Sequence, residues 1–299
     1  MTQSSASQIV WTSAPAARRH AIHLSGVLRV AVTASVVLVA LLWLAPGVWA
    51  LVTSFKITPR ILDPVPFWLP IPATFDQYVT VLAGTRQAAL TIAIGNSVLV
   101  SVLTTIGTVA VCALTAYPLA RMSFPGRDFI FAVIVGSMMV PSVITIVPLY
   151  LLMVDLGWLN SYQALVAPSL CSGFGVFLLR QFFLSMPTEL EDAARIDGAG
   201  SWRIFTSLLL PLSRPALAAL ALFTFQASWN DFTWPLIAMS RVERYTLPVA
   251  LSLLRGNYQA DSFGPIMAGA VISAVPLLVV FILANRHIIE GVQFSGLKM

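Results

Sequence analysis

Six long apolar runs, at residues 30–53, 89–118, 129–154, 162–184, 215–239 and 263–284, alternate with short polar stretches along the chain. Each run exceeds the ~20 residues a helix needs to cross a bilayer core, so each is predicted to be a transmembrane span. Pro141 and Pro148 interrupt the third. The first run is too long for the core of a secretory leader, so it reads as a retained span. The fold class that follows is an all-α, polytopic membrane helical bundle of about six transmembrane helices. Residues 1–26 are expected to form a tail, residues 27–285 the six-span domain, and residues 286–299 a second tail.

The polar stretches are read as loops. Residues 54–87 carry Pro59, Pro64, Pro66, Pro70 and Pro72, with Phe67, Trp68 and Phe75 suited to the membrane interface. Residues 121–127 make a basic turn around Pro125-Gly126, residues 155–161 a tight polar turn, and residues 240–262 a polar segment. One stretch differs from these. Residues 187–211, P-T-E-L-E-D-A-A-R-I-D-G-A-G-S-W-R-I-F-T-S-L-L-L-P, hold Glu189, Glu191, Asp192, Arg195, Asp197 and Arg203. Such a density of charge belongs in water, yet the pattern is that of an ordered segment. Thr188 and Glu191 stand at capping-box spacing. Leu190, Ala193, Ala194 and Asp197 fall on one helical face. Gly198 suits a left-handed helix end, and a second apolar set, Trp202, Ile204, Phe205 and Leu208, follows. A short helix, a glycine turn and another short helix are predicted.

Asp192-Ala193-Ala194, three residues, Gly198, nine residues, Leu208, one residue, Leu210-Pro211 resembles the "EAA" loop of ABC-importer permeases, E-A-A-x3-G-x9-I-x-L-P. Asp stands for the first Glu and Leu for Ile. The longer string E-L-E-D-A-A-R-I-D-G-A is similar to that of the carbohydrate-importing, maltose-type branch, as is S-W-N-D-F-x-W-P at residues 228–235. The resemblance implies an inner-membrane permease subunit of an ATP-driven importer for a sugar or related solute. It implies that the 187–211 loop is a cytoplasmic coupling helix docking on a separate ATPase through Glu191, Asp192, Ala193, Ala194, Asp197, Gly198, Leu208 and Pro211. The implied partners are a second permease subunit, a different chain in this branch, two cytoplasmic ATPase subunits, and an external solute-binding protein or lipoprotein. The plain alternative for the loop is an interfacial helix between two spans.

Charge bears on orientation. Of 17 Lys and Arg, Lys56, Arg60, Arg86, Arg241, Arg244 and Arg255 fall on one side of the six-span topology and the other 11 on the side of the termini. Positive residues collect on the cytoplasmic side, which predicts both termini and the 187–211 loop there. The charged fraction is only 10% of the chain, against about 25% for soluble domains. The net charge of +5 is scattered between spans, which argues for topology and against nucleic-acid binding. Cys112 and Cys171 lie in apolar runs and read as buried packing residues. His20, His23 and His287 read as solvated, and no metal or cofactor site is expected.

The chain offers no ATP site of its own. Its only lysines, Lys56 and Lys298, follow Phe and Leu and not the glycine that a phosphate-binding loop requires. No nucleophile or metalloprotease motif marks an enzyme. Polar residues inside spans are candidates for a substrate path or for close helix packing. They are Asn96, with Ser97, Ser101, Thr104, Thr105 and Thr108 on the second span, and Ser172, beside Ser169, Gly173 and Gly175, on the fourth. Trp229, Asn230 and Asp231 stand on the fifth, where a carboxylate in lipid requires a cavity, a partner or water. Trp229 and Trp234 are placed to stack on a sugar ring, Asn230 to bond a hydroxyl; an outer-interface anchor is the competing role. A second function class also remains open, an ion-gradient-driven secondary transporter using Asp231, although no internal repeat is evident. A non-transporting scaffold is a third.

Overall fold

The computed structural model describes residues 26–57, 69–83, 90–257 and 263–296. The chain divides into two compact units, Met1–Pro46 and Gly47–Met299. Helix α1, Gly26–Ser54, begins in the first and ends in the second, and nearly all its apolar side chains are exposed, as lipid contact demands. In the second unit follow α2 (Asp76–Ala83), α3 (Leu90–Arg121), α4 (Arg127–Ser137), α5 (Ser142–Asp155), α6 (Tyr162–Val166), α7 (Gly173–Ser185), α8 (Glu189–Ile196), α9 (Ser201–Ile204), α10 (Leu210–Leu212), α11 (Arg214–Trp229), α12 (Thr233–Ala238), α13 (Leu247–Asn257) and α14 (Phe263–Gly296). No strand occurs among the described residues.

Among the described residues, three straight segments, Leu28–Ser54, Leu90–Arg121 and Phe263–Ala284, are long and apolar enough to cross a membrane. Three further helix pairs reach that length only together and bend at the join, as a broken span or a re-entrant turn does: α4 with α5 at 99°, α6 with α7 at 42°, and the α9–α10 segment with α11 at 75°. The expected first, second and sixth spans are therefore single helices, while the other three expected runs are interrupted, so the described residues supply three to six crossings. The third breaks at Pro141, whose ring disfavours helix in the residue before it; Pro148 is tolerated inside α5. The fifth was expected to run unbroken over residues 215–239. Instead α11 stops at Trp229, and α12 resumes at Thr233, so Asp231 lies in the break and not on a helix face.

Three polar stretches hold more structure than their composition suggested. Residues 240–262 contain a 3-10 turn, Val242–Arg244, and the whole of α13, whose Val249, Ala250 and Leu254 are buried. The 54–87 loop contains α2, which buries Gln77 and Val81. At the other end α14 continues as helix to Gly296, through residues expected to form a tail.

Helix α3 is the axis of the bundle, with α7 and α11 packed along it. Close approach is set by small residues: a Cβ on Gly175 of α7 would lie 2.6 Å from Cys112 Sγ of α3 and 3.1 Å from a methyl of Leu220 on α11. The hydroxyl residues of α3 fasten neighbouring elements. Thr108 Oγ1 donates to Ser169 O at 2.9 Å, and Ser97 Oγ accepts from Leu247 N at 2.7 Å. Cys112 is buried as expected; Cys171, in the exposed bend between α6 and α7, is not. His20 and His23 lie outside the described residues, as does the side chain of His287.

Candidate coupling site

The 187–211 segment folds as two short helices around a glycine turn. Chain reversal falls on Gly198, at φ 81°, with Gly198 N donating to Arg195 O (3.0 Å) and Ala199 N to Ala194 O (2.9 Å). A residue with a Cβ is strained in that left-handed conformation. The second helix widens over Phe205–Leu209, where Leu210 N donates five residues back to Phe205 O. Pro211 next in line has no N–H and would crowd the carbonyl four residues before it; the wider turn relieves both.

The capping box does not form. Thr188 is itself helical, at φ −73° and ψ −24°, and its side chain caps nothing. Glu191 turns inward, its Oε1 2.8 Å from Arg121 Nε at the end of α3; the two side chains are 3% and 6% exposed. Arg195 approaches Glu191 Oε2 at 3.5 Å from the surface. Two guanidinium groups, Arg121 at 2.8 Å and Arg195 at 3.5 Å, hold the carboxylate by charge attraction, which keeps it from reaching back to the cap. Arg121 Nη2 also donates to Met186 O (2.8 Å), and Tyr117, one turn earlier on α3, donates to Ser201 O (3.1 Å) and packs its ring 4.9 Å from that of Phe205.

The inner face of the segment is Glu191, Ile204, Phe205 and Leu209, with Ala194 and Leu208 packed partly against the same core. Its outer face presents Leu190 and Ile196 (87% exposed) among exposed Asp192, Ala193, Arg195, Asp197, Gly198 and Pro211, whereas Trp202, 67% exposed, lines an apolar groove with Ile106 and Ala110 of α3 and Leu217 of α11. Of the eight residues singled out for coupling, five thus face outward, while Glu191, Ala194 and Leu208 hold the segment to the bundle. Arg121 was missed. A lone arginine seventy residues upstream carries no local sign of its partner.

The five substrate-path candidates separate. Asn96 is buried, its amide donating to Glu243 O and Tyr245 O (both 2.9 Å) and accepting from Tyr162 Oη (2.7 Å). Both amide hydrogens are thus spent on holding the 3-10 turn, a structural use of the side chain. Ser172 caps α7, accepting from Gly175 N at 3.1 Å. Trp229 is 1% exposed, stacked 5.8 Å from Phe225, with Nε1 donating to Ser273 O at 3.0 Å. An indole so enclosed is not placed to stack on a sugar. Trp234 likewise spends its Nε1 on Ala164 O, at 2.8 Å. Asn230 remains exposed and lines a pocket of about 370 Å³ with Phe232, Pro248, Ser252 and Ser273. Asp231 Oδ1 accepts from Trp234 N at 3.4 Å. A further element escaped the sequence reading: Asn160, at φ 59°, whose Oδ1 accepts from Ser240 N (2.6 Å), Ser240 Oγ (3.1 Å) and Arg241 N (3.0 Å), clasping the turn to the 155–161 loop. Among the described residues no cluster of His, Cys, Asp or Glu is arranged for a metal.

Residues 109–292, which include the whole paired-helix segment and its Arg121 anchor, match the family of binding-protein-dependent transport system inner membrane components. The chain belongs to this family. It is a multi-pass membrane permease component. It is 34% identical over 229 residues to the arabinooligosaccharides transport system permease protein AraQ of Halalkalibacterium halodurans, covering 77% of this chain and 81% of the relative. It is 32% identical over 273 residues to the trehalose/maltose transport system permease protein MalG of Thermococcus litoralis, covering 90% and 97%. The fold matches that of a bacterial ABC transporter involved in the import of the acidic polysaccharide alginate, at TM-score 0.75 and 24% identity, over 88% of this permease and 98% of that chain.

Proposed function

We propose that this permease moves a sugar or oligosaccharide inward across the cytoplasmic membrane, driven by ATP hydrolysis on separate subunits that dock on the 187–211 segment. The observation that carries the docking reading is the outer face of that segment. Leu190 and Ile196 stand exposed among charges on a short helix whose inner face is held to α3. An amphipathic helix offered to a groove is a recurrent recognition mode. The remaining partners are a second, different permease chain, two ATPase subunits and an external binding protein, with both termini cytoplasmic. The sugar assignment draws on the relatives that transport arabinooligosaccharides and trehalose or maltose. Asn230, Phe232, Ser252 and Ser273 supply the mixed polar and apolar lining a sugar requires.

The Gly198→Asp variant tests docking. It forces a side chain into the left-handed turn and adds a charge to the docking face. The chain is expressed with its neighbouring genes, and ATPase recovered with the tagged permease is measured. ATPase retained by the wild type and lost by the variant, at equal permease yield, is the expected result. Equal recovery by both would refute the docking reading. The gradient-driven alternative has lost its footing: the family is binding-protein-dependent, and Asp231 is held by a backbone N–H in a helix break.

A further inference from the structure

We propose that the buried Arg121–Glu191 pair is a positioning device that fixes α8 to α3, so that a displacement of the docking segment moves α3 as a rod and, through Asn96, the loop at the far end of the bundle. The proposal rests on the docking reading and adds the route by which docking acts. Three observations meet in it. The last turn and a half of α3 holds both arms of the segment: Arg121 grips α8 through Glu191 and the approach to α8 through Met186 O, and Tyr117 grips α9 through Ser201 O. By contrast α7, though it leads into the segment, is itself tied to α3 at this level, with Arg180 Nε donating to Leu119 O at 3.0 Å. Second, α3 is continuous from Leu90 to Arg121. Asn96 and Arg121 are thus separated by about 37 Å along the axis at 1.5 Å per residue. Third, the opposite end of that rod is fastened as firmly. Asn96 holds Glu243 O and Tyr245 O, Ser97 holds Leu247 N, and Arg244 lies 4.4 Å over the ring of Tyr162, which bonds Asn96.

The choice of an ion pair is informative. Burying two charges contributes little net stability, because desolvation offsets the attraction, and an apolar pair of similar volume commonly folds as well. Here the protein gives up the Thr188 cap to make the pair. Arg121 Nε and Glu191 Oε1 attract as charges without aligning as a hydrogen bond; what charge adds over apolar packing is an attraction that still acts when α8 shifts by an ångström, whereas Met against Leu loses its contact within that distance.

The test uses the complete complex of permease subunits, ATPase and binding protein in proteoliposomes. Glu191→Gln and the paired Arg121→Met/Glu191→Leu variants are compared with wild type. Three quantities are read: thermal stability, ATPase retained on purification, and the ratio of ATP hydrolysis with and without saturating binding protein. The expected result is that the apolar pair keeps stability and bound ATPase while the stimulation ratio falls about tenfold, the size of a typical intersite coupling. Glu191→Gln should lie between. A merely structural pair would be rescued in all three quantities by the apolar substitution, and full stimulation in that variant overturns the proposal. Absence of ATPase from the wild-type complex overturns the docking reading itself, and the rod with it.

Discussion

Trp229 separates a structural from a substrate-binding role for the fifth crossing. In the structure its indole is enclosed, stacked on Phe225, and donates to Ser273 O of α14 at 3.0 Å. Trp229→Phe removes that donor and leaves a small void beside α14. An interhelical hydrogen bond in a membrane protein contributes about 0.6 kcal/mol on average. A void of a methyl group or more costs about 1 kcal/mol. The sum, about 1.5 kcal/mol, should lower the midpoint of thermal unfolding by a few degrees, while uptake per folded molecule stays unchanged. The assay is a heating series in detergent, followed by size-exclusion recovery, with uptake measured in parallel on vesicles of matched permease content. Uptake reduced tenfold or more, with the unfolding midpoint unmoved, would refute the reasoning and return the indole to the cargo's path.

Other substitutions probe other links. Leu190→Ser and Ile196→Ser alter exposed side chains of α8, so stability should hold while affinity for the ATPase drops several-fold in a titrated pull-down; unchanged affinity would place docking elsewhere. Asn160→Ala deletes an acceptor of three hydrogen bonds, and limited proteolysis of the detergent-solubilised permease should then cut within residues 240–246 faster than in wild type. Gly175→Val drives a side chain into Cys112 and Leu220; overpacking of this kind costs about 1–3 kcal/mol, visible as a reduced yield of folded permease. Gly175→Ala, smaller, should fall between.

The apolar runs made the crossings legible because hydrocarbon imposes one requirement on every residue of a span. Breaks within the runs were less legible. Pro141 ends α4 while Pro148 sits inside α5, and no local property of the two prolines tells them apart; packing of the flanking helices decides. The fifth run stayed apolar through its break because Phe232 and Trp234 flank Asp231. The turn at Gly198 was legible since glycine takes up φ 81° without a Cβ clash. The fate of Glu191 was not, because its competitor for the Thr188 cap is Arg121, distant in sequence and brought near only by the packing of α3 against α7. Asn96 and Trp229 misled for a related reason: a polar atom within a span signals a need for a partner, and in both the partner is a backbone carbonyl of the same chain.

ATP on a separate subunit is proposed to drive a sugar through this permease. The most direct measurement is uptake of a radiolabelled oligosaccharide retained by the system's binding protein, into proteoliposomes holding the full complex. Enclosed ATP is compared with an imposed proton gradient. Uptake that requires both ATP and the binding protein, and that Gly198→Asp abolishes, is the result expected. Uptake sustained by the gradient alone, indifferent to ATP, would contradict the account.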